Sequence, residues 1–136
     1  MTPHIGNHIA FHCTADEFRQ KMSPFARMDD GEEGRIVIDV DAILGEGAPV
    51  HQLTGDFFLD ASGATQSISF ISEEPPIGLM IALSDHLQMR ILHKFAGSVA
   101  GQDSGSAKYD AGAAYVRFCR PDSRQAFEIA KDIWHV

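Results

Sequence analysis

Alternation of apolar and polar residues with a period of two is the feature that most restricts what this chain can fold into. In the stretch 8–13, Ile9, Phe11 and Cys13 fall on one side and His8, Ala10 and His12 on the other. Successive side chains of a strand point to opposite faces, so this pattern marks a strand with one buried face. The pattern returns at 35–41, where Ile36, Ile38 and Val40 face inward, and at 113–120, where Ala114, Val116 and Phe118 oppose Tyr115, Arg117 and Cys119. It also returns at 87–95, where Leu87, Met89, Ile91, His93 and Phe95 alternate with Gln88, Arg90, Leu92 and Lys94. A helix through Leu87, Ile91 and Phe95 would leave Met89 exposed, so the strand is the better reading there.

Two further stretches, 53–60 and 65–72, read as a hairpin joined by Ala61-Ser62-Gly63-Ala64, with a left-handed position expected at Gly63. The apolar run 78–83 reads as a central strand or one buried on both faces. The stretch 97–112, with four Gly and three Ser, reads as a long flexible loop.

Helical signals stand at two places. Thr14-Ala15-Asp16-Glu17 is a capping box, in which the Thr hydroxyl accepts an otherwise unpartnered N–H and Glu17 reaches back. Phe18, Met22 and Phe25 form the apolar stripe behind it. Pro24 disfavours helical geometry at Ser23, which predicts a stop or kink there and a further turn through Met28. Near the end, Asp122 is a good N-cap. Ala126, Ile129, Ala130 and Ile133, widened by Phe127 and Trp134, make an apolar face broad enough to need a sheet beneath it.

The order is therefore strand, helix, about six strands, helix, with no strand–helix–strand alternation to suggest a parallel sheet. The expected fold is α+β: a curved antiparallel sheet of about six or seven strands, with two main helices, after strand 1 and at the C-terminus, packed on one face. In element order alone this resembles the helix-grip arrangement of ligand-binding cavity proteins, a resemblance that implies a ligand cavity. The last helix, about thirteen residues, is short for it.

The 136 residues, 44% of them hydrophobic, suit one domain spanning 1–136 with a core of its own. A net charge of −8 and scattered Lys and Arg argue against nucleic-acid and membrane-surface binding. Asp29, Asp30, Glu32 and Glu33 read as a solvated loop. The longest uninterrupted apolar run, Leu79 to Leu83, is too short to span a bilayer, and no leader pattern opens the chain, so a cytoplasmic location is expected. Cys13 and Cys119, without metal-type spacing, read as buried free thiols.

Chemistry-bearing residues are few. His93 shares its register with Leu87, Met89 and Ile91 and so points into the apolar side, where an imidazole can act as a general base or touch a ligand. Tyr115 and Arg117 are the candidate polar anchors of such a ligand, although they belong to a strand face that need not be that of His93. His8 and His12 share a strand face about 13 Å apart at roughly 3.3 Å per residue, too far for one metal. His86 sits beside Asp85 in an expected turn, and His51 and His135 carry little signal. Asp39 and Asp41, with Glu46 beyond, and separately Asp56 and Asp60, share strand faces and read first as solvated edges. No nucleophile motif or phosphate-binding glycine motif is present.

Three functions follow. The first is a non-catalytic binding or interaction domain that forms a homo-oligomer, expected as a homodimer, because an open antiparallel edge must be paired, covered or charged. The second is a small cavity enzyme or ligand carrier using His93, with a small-molecule partner. The third is a metal-dependent protein using histidines with Asp39 or Asp41. No cofactor is implied by any motif.

Overall fold

A computed structural model describes residues 4–29, 31–48, 50–97 and 104–119. Strand β1 (Ile5–His12) leads into helix α1 (Ala15–Met22). Strands β2 (Ala26–Met28) and β3 (Glu33–Asp39) follow, then helix α2 (Val40–Leu44) and the hairpin of β4 (Gln52–Phe58) and β5 (Thr65–Ser72). Helix α3 (Ile77–Leu87) precedes the meander β6 (Arg90–Gly97), β7 (Ser104–Asp110) and β8 (Ala113–Cys119). Among the described residues eight strands form one open antiparallel sheet in the order β2-β3-β4-β5-β1-β6-β7-β8. The chain thus builds outward from β1, whose neighbours are β5 and β6.

Register places the apolar sets of adjacent strands on a common face. Ile9 lies opposite both Ile68 and His93, and Phe57 opposite Ile68. All three helices cover this inner face and share one core with Phe11, Ile36, Ile38, Ile68 and Ile91. Phe18 of α1 meets Phe11 edge-on, with ring centroids 5.0 Å apart. The α1 cap forms as its sequence predicts: the Thr14 hydroxyl accepts from the Glu17 N–H at 3.2 Å, and Glu17 closes the box on the hydroxyl itself at 3.1 Å. Gly55 is required by proximity, because a Cβ there would collide with the Ser69 carbonyl and sit 2.8 Å from the Phe70 Cβ.

The α+β class and the antiparallel sheet agree with expectation, while several elements differ. Residues 78–83 are helical: burial falls at Leu79, Met80, Leu83, Ser84 and Leu87, a helical stripe. A short continuous apolar run fits a buried strand or a buried helix equally, and only its continuation through Leu87 separates them. Strand 35–41 ends at Asp39, whose carboxylate caps α2 by accepting from the Ala42 N–H at 3.2 Å. Residues 26–28 pair with β3 instead of extending α1. The stretch read as a loop contains β7, where Ser106, Ala107 and Tyr109 are buried between β6 and β8; central placement overrides the weak strand propensity of Ser and Gly. Strand 87–95 begins only at Arg90, after α3 ends at Gln88 in the left-handed region (φ 51°). Gly63 is absent from the left-handed region; a Cβ there would meet the carboxylate of Asp60, an exposed side chain free to turn away. The helix expected from Asp122, with Ile129, Ile133 and His135, lies outside the described residues. Among the described residues no helix is long and apolar enough to cross a membrane.

Candidate functional site

His93 occupies the inner register of β6, opposite Ile9 of β1 and Ala107 of β7, and is fully buried. Both ring nitrogens are engaged. Nδ1 lies 2.8 Å from the Tyr109 hydroxyl and Nε2 lies 2.8 Å from Oδ1 of Asn7. Asn7 Nδ2 donates to Ser72 Oγ at 2.9 Å, with longer contacts to the Ile5 and Phe70 carbonyls. Ser72 in turn donates to the Glu74 carbonyl at 2.6 Å.

This geometry fixes the protons. The Asn7 amide nitrogen faces three acceptors, so its oxygen must face His93. Nε2 of His93 therefore carries hydrogen, and Nδ1 accepts from Tyr109. The result is a one-way chain, Tyr109 to His93 to Asn7 to Ser72 to the backbone, in which each donor is used. Among the described residues no buried side-chain polar atom lacks a partner. Burial, with a smaller contribution from the charge of His8, pushes the His93 imidazole down to about 4. Burial also drives the Tyr109 phenol well above its usual range. At neutral pH the imidazole is neutral, and its only lone pair is occupied. Such a chain fixes a unique packing of β1, β5, β6 and β7; proton transfer would first require breaking it.

Tyr115 and Arg117 stand on the opposite, outer face of β8. Tyr115 is 59% exposed and Arg117 is exposed. The sheet lies between them and His93, so the structure does not join the three into one site. Lys108 of β7, paired with Tyr115, holds its ammonium 5.2 Å from the ring centroid. Together these residues form the rim of the sheet, since β8 has a neighbour on one side only among the described residues. The rim is held from below: the Ser84 hydroxyl of α3 accepts from the Gly112 N–H at 3.0 Å, in the turn between β7 and β8.

The remaining candidates are dispersed. His8 and His12 lie on the outer face of β1, and His8 contacts Ser69 at 3.1 Å. Asp39 and Asp41 do not share a strand face. The first caps α2, and the second, in its first turn, contacts exposed His51 at 3.0 Å. His86 reaches the Ile43 carbonyl at 2.9 Å and stacks near Phe25, tying α3 to α2. Asp56 faces outward on β4, Asp60 accepts from Ser62 in the β4–β5 loop, and Glu46 is exposed. Among the described residues no three His, Cys, Asp or Glu side chains group to hold a metal ion. Cys13 is a buried free thiol, pushed up chiefly by burial and secondarily by Glu17, against a smaller opposing effect of Lys21.

Sequence reasoning missed Asn7, Ser72 and Tyr109. A signal existed for the first two: each is a polar residue in an otherwise apolar register, beside Ile5 and Ile9 or Ile68 and Phe70. Tyr109 carried none once its segment was read as a loop. No family model, curated protein or solved structure matches the chain.

Proposed function

We propose that the chain is a non-catalytic binding domain that acts as a homodimer. The observation that carries this reading is the state of the sheet rim. β8 is seven residues long, contains no Pro or acidic residue, and presents an exposed Tyr115 beside Arg117. Natural sheets blunt a free edge with short strands, charged side chains (Lys above all), Pro or bulges; of these β8 carries one charged side chain, Arg117. The other rim, β2, is only three residues long and so follows that practice. Among the described residues no strand pairs with the outer edge of β8, and an edge of that length suits pairing with a partner.

The closed hydrogen-bond chain around His93 favours this reading over a cavity enzyme, because a neutral, doubly bonded imidazole serves packing better than acid–base chemistry. His93→Gln gives the test. A folded, still dimeric variant with unchanged partner binding supports the proposal. Loss of a measurable turnover or of small-molecule affinity, with the fold retained, would refute it.

A further inference from the structure

Resting on the homodimer reading, we infer that the partner of β8 is β8 of a second copy, paired antiparallel with Val116 on the two-fold axis. The strand runs from Ala113 to Cys119, and Val116 is its midpoint. Only this register pairs all seven residues. A two-fold contact must be self-complementary, and the outer face meets that condition: Tyr115 falls opposite Arg117 of the second copy, twice per dimer. Lys108 already covers one side of the Tyr115 ring, from the β7 side. The guanidinium of the second copy approaches from the rim, and Arg is the cation best suited to stacking on an aromatic face.

Charge agrees with this placement. Two chains of −8 repel each other, so contact is favoured where acidic residues are fewest. β8 has none, and the Asp110 carboxylate at the start of the β7–β8 turn pairs with Arg90 at 3.4 Å. On the inner face Val116 is half-buried against the core beneath α3. Two such valines on the axis extend that apolar surface from one copy to the next. The product is a continuous antiparallel sheet of two eight-stranded halves.

The test uses the full chain in a Cys119→Ser background, oxidised mildly at micromolar concentration. Val116→Cys should form the intersubunit disulfide far faster than Ala113→Cys, because residues opposite on the axis have Cβ atoms roughly 5 Å apart and need close by only about 1 Å to reach disulfide geometry. Ala113→Cys should lag, because six residues separate it from its copy, roughly 20 Å. Arg117→Ala, at an exposed position, should weaken the dimer roughly five- to thirtyfold through loss of both Tyr–Arg pairs. A wild-type protein that is monomeric refutes the homodimer reading itself. A dimer that cross-links at 113 as readily as at 116, or that ignores Arg117→Ala, keeps the homodimer and overturns the β8 register.

Discussion

Acidification should weaken the fold through His93, by an amount that follows from its burial. The imidazole is neutral when folded and titrates near 4, against 6.5 for the free side chain. Below pH 6.5 the unfolded chain therefore takes up a proton that the folded chain refuses. The stabilisation is complete above pH 6.5 and is lost as the pH falls toward 4. Each unit of difference is worth a little over 1 kcal/mol, so the loss amounts to about 1 kcal/mol at pH 5.5 and about 3 kcal/mol at pH 4. His8 is displaced in the same direction by burial and by Lys94, so the total slope alone does not isolate His93. The comparison that does is urea unfolding of wild type and His93→Gln at pH 7, 5.5 and 4.5. The variant lacks the titration, so the gap between the two proteins should narrow by more than about 1 kcal/mol on acidification. A gap constant to within about half a kcal/mol over that range would refute the buried, neutral imidazole.

Other outcomes follow from the same geometry. Tyr109→Phe leaves the His93 Nδ1 buried without a donor and should cost about 1–3 kcal/mol at pH 7 by chemical denaturation. Gly55→Ala drives a methyl into the Ser69 carbonyl and Phe70, and should cost about 1–3 kcal/mol or displace the β4–β5 register, visible in amide shifts. Thr14→Ala should cost about 1 kcal/mol through the α1 cap. Removing the exposed Asp41–His51 contact by Asp41→Asn should change stability by less than about 1 kcal/mol, measured in the same way.

Period-two alternation located half of the described strands because a strand with one wet face writes its geometry into adjacent residues. β1, β3, β6 and β8 were legible in this way, β4 and β5 as a hairpin around a small-residue loop, and the Thr14 cap because it is local. What was hidden depended on neighbours distant in sequence. The run from Leu79 to Leu83 is apolar at every position, so it carries no period that separates helix from strand. Ser104, Gly105 and Ser106 form a strand because β6 and β8 enclose them, a fact absent from their own propensities. The inward direction of His93 was readable from parity, but its partners Asn7 and Tyr109 lie 86 and 16 residues away. The difference between a general base and a satisfied core histidine lies in those two contacts. Tyr115 and Arg117 were singled out as polar anchors, and their shared face was readable. Their position at the rim became evident only from the strand order.

Native mass spectrometry of the untagged protein, before and after mild denaturation, tests the central claim most directly. The account predicts a bare dimer at twice 14.9 kDa that dissociates to monomers with no further loss of mass. A monomer at micromolar concentration, or a small molecule or metal released on denaturation, would contradict it.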